Sequence, residues 1–189
     1  MINNFNKMNK EIEYRMYGFV PYQLSDKQKM IQFGHAVVEY GLPAYLGKTS
    51  EYTKWSNVDK TFIVLDGGTT NDTPGRYYGT LQQYMQELRN NGVDIAEFRE
   101  LDLNNCLTAV VFLAPEGVWK KKPYYDNDNY YPNFRDYLKE KGFDFGNGPE
   151  CSEERIIKDF PENYEKWIEL IGGKRNLFLR NFLSNKKLA

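Results

Sequence analysis

Hydrophobic and polar positions along this chain follow two alternating rhythms. Glu13 to Pro21 (EYRMYGFVP) mixes aromatic and branched apolar residues and predicts a first strand. Ser25 to Gly41 shifts to a helical period: Gln28, Gln32 and His35 stand at i, i+4 and i+7 and share one face, while Met30, Phe33 and Val37 point elsewhere. Ser25 and Gln28 also have the S-x-x-Q form of a capping box. After Gly41-Leu42-Pro43 a second short helical stretch, around Ala44 to Trp55, leads into Thr61 to Leu65 (TFIVL), an apolar run suited to a strand buried on both faces. Gly67 to Gly79 is rich in Gly, Thr, Asn and Pro and predicts a loop, the best candidate for a mobile flap. Thr80 with Gln83 repeats the capping-box pattern, Leu81, Tyr84, Met85 and Leu88 form an apolar stripe, and Gly92 ends that helix. Ala96 to Arg99 and Leu107 to Leu113 predict two more strands, closed by Ala114-Pro115. The order of elements predicts an α/β fold with a small four-stranded mixed sheet flanked by helices.

From about Val118 the character changes, which divides the chain into an α/β domain over 1–118 and a helical C-terminal extension over 119–189 that packs on it. Lys120 to Lys122 is a basic triplet, and Tyr124 to Pro132 (YYDNDNYYP) is a polar, tyrosine-rich connector without periodicity. Helices are expected near Phe134 to Lys141, Ser152 to Asp159, Pro161 to Ile171 and Lys174 to Leu183, with Gly172-Gly173 as a break.

Composition adds limits. The chain has 189 residues, 41% hydrophobic and 27% charged, enough apolar content to bury a core. It holds no run of about 18 apolar residues, and Met1 to Lys10 is too polar for a signal peptide, so no membrane partner and a cytoplasmic location are expected. Cys106 and Cys151 stand far apart, and His35 is the single histidine, which disfavours a disulfide framework and a transition-metal site. An oxygen-ligated magnesium site stays open; no metal or other cofactor is implied. Residues 1–118 carry 11 basic and 14 acidic residues, net -3, whereas 119–189 carry 14 and 12, net +2. A protein gripping a long nucleic acid draws most of its affinity from phosphate neutralisation, so an acidic core fits that task poorly.

Two segments carry a resemblance. Gln28-Lys29-Met30-Ile31-Gln32-Phe33-Gly34-His35-Ala36 is similar to the first-helix signature of type II peptidyl-tRNA hydrolases, a pattern close to G-x-x-A-x-Q-x-x-H-A. Glu100 to Ala109, running into Val110 to Pro115, resembles that fold's loop and last strand, where an Asp precedes a Thr that opens the strand. The resemblance spans roughly Glu13 to Pro115. It implies a cleft between the start of the first helix and the loop before the last strand, which in the family cleaves the ester joining a peptide to the terminal ribose of tRNA without a metal. By that resemblance Gln32, His35, Asp102 and Thr108 match the family's glutamine, histidine, aspartate and threonine. The family's lysine falls where this chain has Gln28; Lys29 is one residue on, about 100° around the helix. The Asp102–Thr108 segment is shorter than in typical members, and the residues after Pro115 match nothing in the minimal enzyme.

Water-driven cleavage of an ester or phosphodiester needs a base for the water, donors for the developing oxyanion and a grip on phosphate or sugar. Asp102 could orient the water directly or through Thr108, Gln32 and Lys29 could donate, and an imidazole such as His35 can work as acid or base near neutrality. Ser25 and Gln28 at the helix start, and Arg76 on the loop, are candidate phosphate ligands. Three functions follow. The first is hydrolysis of peptidyl-tRNA at the tRNA 3′ end, gripped by a basic stripe from Lys120 to Lys122, Lys174, Arg175 and Arg180. The second is action on a small nucleotide, such as a cyclic oligonucleotide defence signal cleaved or sequestered by a phage protein; the Tyr, Asn and Lys richness is what a genome poor in G and C writes. The third is a protein-binding module using the tyrosine-rich connector. The charge distribution ranks the second first. Homo-oligomerisation stays open.

Overall fold

The computed structural model describes residues 11–45, 50–72, 76–123, 129–143 and 152–189. It is an α/β fold built on a four-stranded mixed sheet with helices on both faces. The elements are β1 (Tyr14–Val20), α1 (Asp26–Tyr45), α2 (Ser50–Lys54) with a π turn over Trp55–Asp59, β2 (Thr61–Asp66), α3 (Thr80–Asn90), β3 (Ala96–Glu100), a 3-10 turn Leu101–Leu103 and β4 (Cys106–Pro115). Four helices, α5 (Phe134–Glu140), α6 (Glu153–Asp159), α7 (Pro161–Leu170) and α8 (Lys174–Leu183), follow a single turn, α4 (Glu116–Trp119). The strand order is β2-β1-β4-β3, with β1 parallel to β2 and antiparallel to β4, and β3 antiparallel to β4.

β4 is the strand sealed on both faces, every residue from Leu107 to Pro115 being buried. On one face, Phe19, Leu65, Val110 and Phe112 pack against Leu81, Met85 and Leu88 of α3 and Leu179 and Phe182 of α8. On the other, Met16, Val20, Ala109, Val111 and Leu113 meet Phe33 and Ala36 of α1 and Trp55. α1 lies very close to β1 because Gly18 has no side chain: a Cβ there would sit 2.5 Å from the Phe33 ring and 2.7 Å from Val111. The helices α5 to α7 bury Phe134, Leu138, Ile156, Trp167, Ile168 and Ile171 in a cluster of their own.

Three expectations are corrected. α1 does not stop at Gly41-Leu42-Pro43 but runs on to Tyr45; the buried Gly41 lets the Tyr52 ring close on the helix there. The run Thr61 to Leu65 is not doubly buried: β2 is an edge strand, with Phe62 51% exposed. Its open edge meets the C-terminus instead, where Leu188 bridges Leu65, Asp66 N donates to Lys187 O (2.9 Å) and Ala189 N donates to Val64 O (3.1 Å). The second capping box does not form, because Thr69 Oγ1 from the preceding loop takes Thr80 N at 3.2 Å while the Gln83 amide donates to Tyr78 O.

No helix of the described residues is long and apolar enough to cross a membrane. Gly18→Ala is expected to cost about 1–3 kcal/mol by forcing Phe33 and Val111 apart, checked by urea unfolding; an unchanged midpoint would show that α1 tolerates displacement from β1.

Candidate functional site

The predicted residues fall at one end of the sheet, the end where β1 and β2 finish and β4 begins. Its local architecture starts from a β-bulge. Phe98 pairs with Ala109 and Arg99 with Leu107, so Thr108 is the extra residue on β4. A bulge turns its extra side chain out of strict alternation, and Thr108 meets α1. Its Oγ1 donates to Gln32 Oε1 at 2.9 Å, with Phe98 O at 3.3 Å as a second acceptor. Gln32 Nε2 in turn donates to Glu100 Oε2 at 2.8 Å. The carboxylate can only accept, which fixes the amide's orientation and so makes Thr108 the donor to its oxygen.

Thr108 and Gln32 are buried, 1% and 7% exposed, and Glu100 is half-buried. Beside them, one turn further along α1, exposed His35 stacks on Phe98 with ring centroids 4.6 Å apart. One turn earlier, Lys29 is an i, i+3 neighbour of Gln32, its side chain only 16% exposed and paired loosely with Asp26 at 3.7 Å. The structure thus brings together Lys29, Gln32, His35 and Thr108. Asp102 lies exposed on the 3-10 turn that follows β3, and the carboxylate that meets the amide is Glu100, two residues earlier. Sequence reasoning passed over Glu100, and no local signal pointed to it: the register at the bulge sets which carboxylate meets the amide.

Ser25 and Gln28 close on each other. Gln28 N donates to Ser25 Oγ at 3.4 Å, while Ser25 N and Oγ both donate to Gln28 Oε1, at 3.1 and 2.8 Å. This is the capping box, so these groups terminate α1 rather than stand open for a phosphate. Arg76 is exposed on the loop after β2, next to residues 73–75, which lie outside the described part. The described parts of that loop are fastened to the sheet end and α3. Thr70 Oγ1 donates to Leu107 O (2.6 Å) and accepts from Gln82 Nε2 (2.8 Å), Asn71 N donates to Gln82 Oε1 (3.0 Å), and Asp72 pairs with Arg99. Two acidic partners, Asp72 and Glu97, hold the Arg99 guanidinium and raise its pKa, the Asp72 hydrogen bond most. Turn residues Asn104 and Asn105 take left-handed φ of 55° and 58° before β4 starts. Cys106 is free and half-buried, 3.4 Å from Thr70 Oγ1; Cys151 lies outside the described residues.

No protein-family model matches this chain, and no curated protein matches it.

Replacing Gln32 by Glu would set two carboxylates against each other. The new acid's folded pKa would rise above the ordinary glutamate value near 4.3, so its penalty is full at pH 7 and disappears as pH falls below about 4. Urea unfolding of Gln32→Glu should show a loss of about 1–3 kcal/mol at pH 7 that narrows at acid pH relative to the parent chain; a pH-independent gap would mean that Glu100 does not face this amide.

Proposed function

We propose that the sheet end at the start of α1 binds a small phosphorylated nucleotide and hydrolyses it without a metal. What carries this reading is the joined group Thr108–Gln32–Glu100 with His35 and Lys29 on its flanks. A ligand at this place would lie beyond the carboxyl ends of two parallel strands, β1 and β2, a usual place for ligands in α/β sheets. In the proposed step Glu100 accepts a proton from water as the water's oxygen bonds to phosphorus. The bond from phosphorus to the leaving ribose oxygen breaks, and protonated His35 supplies that oxygen with a proton. Lys29 offsets charge on the phosphate. Gln32 and Thr108, being buried, are positioning residues that hold Glu100 in one orientation.

Charge placement favours a small ligand over tRNA. The tail cations expected to form a basic stripe lie at the other end of β4, about 23 Å from Thr108 to Pro115. Lys120 is buried 3.9 Å from Glu116, Arg175 faces Glu51 at 3.9 Å, and Arg180 is buried against backbone carbonyls. A phosphorylated defence signal such as a cyclic oligonucleotide fits a local grip of this size. One observation favours a second reading, cleavage of the peptidyl-tRNA ester: the Thr108–Gln32 hydrogen bond joins two of the residues that the family resemblance pairs in one cleft.

The test sets a panel of cyclic di- and trinucleotides beside diacetyl-lysyl-tRNA. The expected outcome is thermal stabilisation by a cyclic nucleotide with linear product accumulating, a loss of at least about 100-fold in rate for Glu100→Gln with binding retained, and roughly tenfold weaker binding for Lys29→Ala. Release of acylated lysine from tRNA at enzymatic rate would replace this reading with the second. Binding without turnover would make the protein a sponge, and response to neither substrate would overturn both readings.

A further inference from the structure

On the opposite face of the sheet, α4, α8 and the residues after it line an open cavity of about 340 Å³ whose lining, among the described residues, includes three cations, Lys121, Arg180 and Lys186, and no carboxylate. Leu65, Val118 and Leu183 supply apolar wall. We propose that this cavity binds a small organic phosphate, a phosphomonoester with an apolar body.

The argument rests on where the charge of these cations goes. Arg180 is buried at 6% exposed, and its guanidinium donates to Gly117 O (2.7 Å), Pro132 O (3.0 Å) and Tyr131 O. All three acceptors are neutral. They satisfy hydrogen bonds without cancelling a charge, and burial with no acid beside it draws the group's pKa down to about 10. Lys186 sits over the Tyr84 and Phe182 rings, its Nζ 3.9 and 4.7 Å from the centroids, a contact that again neutralises nothing. Lys121 is exposed. Among the described residues no ion pair joins any of the three to a carboxylate.

Elsewhere this chain does pair its covered cations: Lys120 lies beside Glu116, Lys54 beside Asp59, and Arg99 beside Asp72 and Glu97. Three uncompensated cations around one cavity repel each other, and a dianion relieves that repulsion. The two flexible ammonium groups suit a phosphate's oxygens, while the Arg180 guanidinium, whose three nitrogens each donate to a carbonyl, adds positive charge to the wall. The leucine and valine walls favour an organic substituent over free phosphate, and the volume is at the lower end of the roughly 300–1,000 Å³ of small-molecule sites.

Titration calorimetry with phenyl phosphate and with inorganic phosphate tests the site on the full chain. Phenyl phosphate is expected to bind one to one with Kd below about 1 mM, and inorganic phosphate more weakly. Lys121→Ala combined with Lys186→Ala should weaken phenyl phosphate binding at least about tenfold, and Lys186→Arg should retain it. Melting of the unliganded double variant by circular dichroism establishes that it is folded; should it fail to fold, the exposed Lys121→Ala alone carries the test. No binding by the parent chain, or equal binding by the lysine variants, would overturn the proposal and leave these cations as complements to the C-terminal dipole of α8. Inorganic phosphate binding as tightly as phenyl phosphate would overturn the role given to the apolar wall.

Discussion

Burial of β4 on both faces is the constraint around which this molecule is arranged. A strand enclosed by α1 on one side and by α3 and α8 on the other leaves no water for a polar side chain, yet Thr108 stands within it at 1% exposed. A lone buried hydroxyl would cost about 1–3 kcal/mol if left unmade. The bulge at Thr108 delivers it to Gln32, which passes the constraint to Glu100. The position of α1 against β1 matters for the same reason: Gly18 lets the Phe33 ring approach the sheet, and Gln32 precedes Phe33 on the helix. The core packing and the candidate chemistry are therefore mechanically one feature.

The C-terminal segment enters the same economy of burial. α8 lays Leu179 and Phe182 on the aromatic cluster of Phe19, Phe112 and Tyr84, and the last residues pair with the edge of β2. Glu116, just past β4, is 1% exposed and receives Tyr131 OH at 3.0 Å and Asn129 Nδ2 at 3.3 Å, so the connector is tied to the sheet end by a buried carboxylate. Burial and that carboxylate together push the Tyr131 phenol above its ordinary range, holding it as a donor. Of the cations that the sequence offers for a nucleic-acid stripe, Lys120 and Arg175 face carboxylates, Arg180 bonds backbone carbonyls and Lys121 lines the separate cavity.

Much of the fold was legible, and what was not has physical causes. The four strands and the helices of the tail follow from apolar periodicity with Ser, Asn, Pro and Gly at their borders, and the structure puts α8 at Lys174–Leu183, where the pattern predicted it. Pro43 misled because a proline within a helix removes one hydrogen bond without forbidding the turn. The run TFIVL reads as a central strand because its cover, the chain's own C-terminus, lies far off in sequence. At the site, Gln32, His35 and Thr108 were legible from helical spacing and the resemblance together. Glu100 was not, because a bulge shifts the register and no local pattern in LDLNNCLT reveals which carboxylate will face the helix.

That register shift also bears on chemistry. Asp102, exposed on the turn, is free to orient as solvent dictates, whereas Glu100 is held by an amide whose own orientation is fixed by Thr108. A catalytic carboxylate gains from being held before the substrate arrives, since the ordering entropy is then spent in folding rather than at the transition state. The same hold limits what Gln32 can do: an amide that already donates to Glu100 and accepts from Thr108 has one N–H left for a ligand. In the reading proposed above, direct contact with a phosphate thus falls to Lys29 and His35 on the flanks. A grip of one ammonium and one imidazole carries little positive charge, which is why the proposed ligand is one with few phosphates.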